Sequence, residues 1–339
     1  MQKVLVTGAT GFIGGHILKA NLARGNSVRA LVLPGDPSMD ALKQRGVEVV
    51  TGDIRDYENV IRAVVGIDIV FHCAAVVTDW APKKLFYDIT VGGTENICMA
   101  ALQAGVRRFV DVSTSEVFGI DESKILDEAC PLRYRGEPYP DSKIDAEHVV
   151  WNYYKKGLPV TVVYPAQVYG GGDYTFLTAL ADAIIKKELV FWRRNIGWPT
   201  YIDNLVDLMM LVAEDYRAVG NGYLVHDGES NTLEGFCAGL AEALGVPACH
   251  TYIPYWVAMS LAKVLEFVWR MFRIKTRPLL TTYTVTTFGS RMRLSIEKAR
   301  RELGWMPKVA YCDGLALTMA WMKTLNLKEL KHKQIQSLI

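Results

Sequence analysis

Apolar positions in the first half of the chain come in short β-branched runs, and between the runs apolar residues recur every three to four positions. The runs predict strands at Val4–Thr7, Ser27–Val32, Glu48–Thr51, Ile69–His72, Phe109–Ser113 and Val160–Tyr164. The intervening pattern predicts helices over residues 12–24, 38–45, 57–65, 82–104 and 139–156. Strands that alternate with helices build an α/β fold on a parallel sheet. Right-handed crossovers make it doubly wound, with ligands at the carboxyl ends of the strands. Beyond Pro165 the pattern turns to helices with a few short strands, more Trp and longer loops. The expected organisation is residues 1–173 around the sheet and a smaller, mainly α lobe over 174–339, which returns to the sheet near Gly222–His226.

One later segment departs from surface patterning. Ile253–Phe272 carries only Lys263, Glu266 and Arg270 as charges, spaced by three and four so that they share one helical stripe, and Arg273, Lys275 and Arg277 follow. Such a helix suits a membrane interface, which makes 253–277 a candidate for peripheral membrane contact. A helix facing the core or a second copy has the same pattern. No apolar run reaches the roughly 18 residues that a spanning helix needs.

Half of the 339 residues are apolar and 22% are charged, which excludes disorder and leaves an ordinary globular enzyme composition. A formal charge of +2 is too mild for a nucleic-acid partner. Six scattered cysteines, with no CxxC and no His at ligand spacing, predict neither a disulfide frame nor a metal site. They suit a reducing compartment. Because a strand begins at Lys3, no room for a signal peptide is expected, and the expected location is cytoplasmic, with or without membrane contact through 253–277.

Gly8-Ala-Thr10-Gly11-Phe12-Ile13-Gly14 lies where the first strand meets the first helix. Glycines there permit a tight turn and close backbone approach, so the helix N-terminus can face a pyrophosphate; dinucleotide binding is the expectation. Asp53-Ile54 closes the third strand, where the carboxylate suits either an adenine amino group or the cap of the next helix. At the tip of the second strand no Lys or Arg occurs between Arg29 and Lys43, while Asp36 lies in the loop. That favours NAD over NADP without excluding NADP. Tyr139 precedes Lys143 by about one helical turn, so both can project into one cleft. An ammonium there is expected to lower the phenol's pKa, letting Tyr139 take a proton from an alcohol as hydride leaves. Hydroxyls at Ser113, Thr114 and Ser115, at the end of the preceding strand, can share the bond to substrate oxygen.

Together these residues resemble the extended short-chain dehydrogenase/reductases, which have a Rossmann fold and act on alcohols, ketones and nucleotide sugars. Phe71-His-Cys-Ala74-Ala75 is similar to that family's strand-four cofactor contact, Gly93-Thr-Glu-Asn96 to its GTxN helix and Pro165-Ala-Gln-Val168-Tyr-Gly170 to the loop that meets the nicotinamide. Lys298-Ala and Leu303-Gly-Trp-Met-Pro307 resemble its C-terminal signature. The resemblance implies Thr114, Tyr139 and Lys143 as the catalytic set. It also implies Tyr139, Lys143, Pro165 and Val168 on the cofactor, and a homodimer through the helices at 82–104 and 139–156. In the dehydratases Thr-Asp-Glu supplies acid and base, whereas Thr114-Ser115-Glu116 lacks the acid. Gly197-Trp-Pro stands where nucleotide-sugar members commonly place an arginine on the diphosphate, although Arg193 and Arg194 lie nearby.

Val76, Val77, Trp80 and Tyr169, with Trp192 and Trp198, suggest an apolar ligand. With the amphipathic segment and the run Arg277–Val285, the chain looks most like the 3β-hydroxysteroid dehydrogenase and sterol 4-carboxylate dehydrogenase branch. The expected activity is NAD-dependent oxidation of a secondary alcohol on a hydrophobic, sterol-like substrate, with or without decarboxylation. A sugar epimerase and a dihydroflavonol-reductase-like carbonyl reductase are the alternatives.

Overall fold

A computed structural model describes residues 1–325. Its strands are β1 (Lys3–Thr7), β2 (Ser27–Val32), β3 (Glu48–Thr51), β4 (Ile69–His72), β5 (Arg108–Val112), β6 (Ile125–Leu126), β7 (Val160–Pro165), β8 (Gln167–Tyr169), β9 (Pro199–Tyr201), β10 (Asn221–Val225) and β11 (Arg293–Leu294). Seven of them form one parallel sheet in the order β10-β7-β5-β4-β1-β2-β3. This is the doubly wound Rossmann arrangement, extended at one edge by β10. The expected return near Gly222–His226 is therefore a sheet strand. The inner strands of the sheet are buried on both faces: in β1, Val4 and Val6 join one core layer, while Leu5 between them joins the other. Two-sided burial is why these strands read as continuous apolar runs in the sequence.

The helices flanking this sheet are α1 (Phe12–Ala23), α2 (Met39–Gln44), α3 (Tyr57–Val64), α4 (Lys83–Phe86), α5 (Gly93–Ala104) and α6 (Pro138–Lys155). The single helix expected over 82–104 is α4 and α5 joined by a π-helical turn at Tyr87–Gly92. At this widened turn the Thr90 hydroxyl accepts from Val76 N, and Gly93 rests so closely on Ile54 that an added Cβ would lie 2.7 Å from its Cγ2. Such turns leave no periodicity mark, since only one residue is gained.

The remaining helices are α7 (Phe176–Ile185), α8 (Ile202–Glu214), α9 (Leu233–Ala243), α10 (Tyr255–Met271), α11 (Thr282–Phe288), α12 (Glu297–Leu303) and α13 (Tyr311–Lys323). α8 buries Leu205, Leu208 and Met209 in the layer that also holds Ile17 of α1. α10 and the start of α11 form a small satellite core of Ala258, Ala262, Leu280 and Val285, joined by Trp192.

Candidate active site

The turn between β1 and α1 requires glycine twice for different reasons. Gly8 has φ +66°, and a Cβ there would sit 2.9 Å from the backbone of Cys73 and Ala74, so the tip of β4 lies directly against the loop. A Cβ on Gly14 would sit 2.2 Å from Gly8 O, the atom that accepts from Gly11 N. Thr10 and Gly11 are exposed, and α1 begins at Gly11 with no side-chain cap and no acidic residue in its first turn. Unpaired helical N–H groups at an open helix end suit a phosphate. Phe12 packs edge-on to His16 at 5.5 Å and Ile13 against the core, so these two offer backbone rather than side chain.

A buried polar relay fixes the floor of this cradle. Thr7 Oγ1 and His72 Nδ1 are 2.8 Å apart, His72 Nε2 and Thr94 Oγ1 are 3.0 Å apart, and Thr7 Oγ1 accepts from Ala74 N. Burial, with Lys143's charge adding to it, lowers the His72 pKa to about 3, so the imidazole stays neutral and serves as a hydrogen-bond bridge. Ala74 and Ala75 are partly buried at this tip. At Asp53, Arg55 Nε reaches both carboxylate oxygens at 3.0 Å and Arg55 N donates to it. Those bonds hold its carboxyl below the usual range, and the loop geometry is that of a turn stabilised by its own carboxylate. Ile54 is a core residue whose carbonyl accepts from Asn96, so its side chain packs rather than points to a ligand.

Tyr139 and Lys143 stand one turn apart on α6, which opens with Pro138 at its first position. Strand alternation distinguishes the three hydroxyls at the end of β5. Ser113 turns inward and donates to Glu147, Ser115 is buried, and Thr114 stands within hydrogen-bonding reach of the Tyr139 phenol while accepting from Glu116 N. Lys143 is buried and donates from Nζ to Val112 O at 2.6 Å. Burial lowers its pKa, opposed by Asp111 and Glu147 behind it.

The phenol is not acidified in this geometry. Burial, together with the Glu116 carboxylate, raises its pKa well above the ordinary value, and Thr114 opposes only in part. The ammonium expected to lower it faces Val112 and Asp111 instead. Glu116 is itself fixed by the second half of the chain, since Tyr283 donates to Oε1 at 2.6 Å and the Tyr283 ring meets Tyr139 edge-on at 6.4 Å. Arg135 stands 3.6 Å from Oε2.

A second tie closes the front of the site. Asp79, in the loop leaving β4, accepts from Arg277 at 2.6 and 2.7 Å and from Thr281 and Thr284. Burial alone would raise this carboxyl, but those donors hold it below the ordinary value. No local pattern marks Asp79 or Glu116, because their partners lie 198 and 167 residues away.

Pro165 ends β7 and Val168 lies on β8, on the wall of a shallow open cleft shared with Phe176, Leu233 and Phe236. Tyr169 lies at its base as a core ring whose hydroxyl donates to Asp227. Other apolar positions named from the sequence are elsewhere engaged: Trp198 donates to Met292 O, Trp192 to Val285 O, and Val77 faces solvent. Arg193 does not reach toward this cleft as a diphosphate fork, since both its terminal nitrogens are bonded to Glu122 at 2.8 and 2.9 Å.

Known proteins resemble this arrangement over almost its whole length. The chain is 32% identical over 318 residues to a 4-hydroxy-2-methyl-3-oxo-4-farnesyl-3,4-dihydroquinoline-1-oxide ketoreductase of Stigmatella aurantiaca, covering 93% of this chain and 95% of the relative. It is 31% identical to a 3 beta-hydroxysteroid dehydrogenase/Delta 5→4-isomerase of Mycobacterium tuberculosis, covering 91% and 86%. Among solved structures, DesIV, a dTDP-glucose 4,6-dehydratase from Streptomyces venezuelae with NAD and TYD bound, superposes with a TM-score of 0.77 at 25% identity, covering 95% of this chain and 97% of that one. The model of the NAD dependent epimerase/dehydratase family matches residues 4–225, the span that holds the glycine cradle, Thr114, Tyr139 and Lys143, and the chain belongs to that family of NAD enzymes.

Proposed function

We propose that the protein interconverts a secondary alcohol and a ketone on a hydrophobic, sterol-like skeleton, with residues 1–173 holding NAD and residues 174–325 forming most of the substrate's enclosure; the rest of the lobe expected over 174–339 lies outside the described residues. NAD supplies the hydride acceptor. Tyr139 takes the alcohol proton or returns it, Thr114 aligns the oxygen, and Lys143 fixes the head of α6 to the tip of β5 through Val112 O. The observation that carries the substrate class is the wall of Val168, Phe176, Leu233 and Phe236 beside a loop preceded by Arg193, whose guanidinium is committed to Glu122. Carbon skeleton filling such a wall gains about 25 cal/mol per Å² buried, whereas a diphosphate without a guanidinium fork is poorly held. Where the substrate carries a carboxylate β to the new ketone, that ketone accepts the electrons released as carbon dioxide leaves.

A panel of sterols, flavonoid ketones and nucleotide sugars, read at 340 nm with NAD and NADP, tests this reading. Net reduction of NAD with a sterol alcohol is the expected result. Turnover of a nucleotide sugar with no added nicotinamide would replace it with epimerisation.

Glu116 makes the pH dependence specific. The base form of Tyr139 is phenolate, so oxidation accelerates as pH rises through the phenol's pKa, which the Glu116 charge holds up. Glu116→Gln removes that charge and should move this rising limb of kcat/KM down by about one pH unit. A limb that stays in place would mean that another group titrates.

A further inference from the structure

We propose that α10 docks the protein on an anionic lipid bilayer, lying in the interface with its outer stripe among the acyl chains and its basic flank at the headgroups. Only Ala258 and Ala262 of its 17 residues are fully buried. On the opposite side Trp256 is 71% exposed, Val264 58%, Phe267 65% and Met271 56%, and their spacing of eight, three and four places them on one face. Phe272 and Leu279, past the helix end, are exposed as well. A contiguous apolar face of this kind marks a surface meant to be covered.

Charge identifies what covers it. Residues 253–277 hold five basic side chains, Lys263, Arg270, Arg273, Lys275 and Arg277, against the single acid Glu266 within the span and Asp79, which pairs with Arg277 from outside it. The whole chain has a net charge of only +2, so the remainder is net negative and the positive charge is concentrated here. Lys263 and Arg270 border the apolar stripe on one side by helical spacing. Arg273 follows the helix in the left-handed region at φ 51°, where glycine is the less strained residue. A second copy docked about a twofold axis would bring like charges together, whereas anionic headgroups neutralise them. No helix among the described residues is long and apolar enough to cross a membrane, so α10 lies along the surface.

The helix is also fastened to the front of the site. Glu266 accepts from Thr282 N and Oγ1 at the head of α11, Arg270 lies 5.6 Å above the Trp80 ring, and Arg277 grips Asp79. Docking through α10 therefore sets the loop 76–81 beside the lipid, and an apolar substrate can enter from the bilayer. This delivery step rests on the proposed function, whereas docking does not.

Sedimentation of the full chain with phosphatidylglycerol-containing vesicles, compared with phosphatidylcholine alone, tests docking without any turnover. The wild type should pellet with the anionic vesicles and more weakly with the neutral ones. Trp256→Ser combined with Phe267→Ser should lower partitioning at least tenfold on both. Arg273→Gln and Lys275→Gln should each lower it about fivefold on the anionic vesicles only. Thermal melting identifies a variant that fails to fold, and the charge substitutions then carry the test alone. Wild type left in the supernatant with both vesicle types overturns the proposal. A dimer in light scattering that Phe267→Ser dissolves, with no pelleting, overturns it in favour of a second copy. Pelleting without oxidation of any sterol leaves docking standing and removes only the substrate reading.

Discussion

Tyr139→Phe is expected to lower alcohol oxidation by about 10²–10⁴-fold, while the affinity for NAD, measured by titration calorimetry, changes by no more than a few-fold. The neighbouring groups are poorly placed to replace the phenol as proton carrier. Lys143 Nζ is bonded to Val112 O, Glu116 accepts from Tyr283, and the Thr114 hydroxyl is an orienting group rather than a base. The phenylalanine ring keeps the edge-on contact with Tyr283, so the fold should lose only the worth of one hydrogen bond, about 0.5–1.5 kcal/mol. Melting curves separate this small loss from the large kinetic one. A variant retaining more than a tenth of the wild-type rate would place the proton transfer on another group. A collapse of NAD affinity would make Tyr139 a binding residue.

The raised pKa of this phenol bears on how the site is set. Burial and the Glu116 charge raise it, opposed by Thr114, so the phenolate that accepts an alcohol proton forms at higher pH than on a free tyrosine, and Glu116→Gln should bring that pH down. Lys143 Nζ also ties α6 to β5 through Val112 O, a contact that Tyr-to-Lys spacing alone cannot reveal.

Much of the sheet was legible because strands buried on both faces leave apolar runs of four to six residues, and even the distant β10 left one at Gly222–Val225. The cradle was legible for a similar reason: Gly8 and Gly14 meet steric demands that few other residues can satisfy. Legibility ended where the deciding contact lay far along the chain. Tyr283 on Glu116 and Arg277 on Asp79 join segments more than 160 residues apart, and each is a single polar residue with no periodic neighbour. Short-range competition hid others. Arg55, two residues on, occupies the carboxylate of Asp53, and the inward turn of Ser113 follows from strand pleat rather than residue type. Aromatic composition does not distinguish a wall from a brace: Trp192 and Trp198 each donate to a backbone carbonyl far along the chain, Val285 O and Met292 O.

Two adjacent glycines on α1 should respond in opposite directions to the same substitution. At Gly14 an added Cβ would lie 2.2 Å from Gly8 O and 2.7 Å from Gly8 C, both backbone atoms with no rotamer to yield. The loop must therefore move, and with it Gly8 O, which holds Gly11 N at 3.0 Å and so sets the entry to the helix. Gly14→Ala should cost about 1–3 kcal/mol, seen as a fall of several degrees in Tm, and should weaken NAD binding at least tenfold by displacing the free N–H groups of the first turn. At Gly15 the nearest atom to an added Cβ is Ala9 O at 3.5 Å, an ordinary contact, and the residue sits in the helix interior. Gly15→Ala should raise stability by about 0.4–1 kcal/mol through the unfolded chain's lost freedom, with NAD affinity unchanged. Equal effects at the two positions would show that helix propensity, rather than the approach of Gly14 to Gly8, governs this turn.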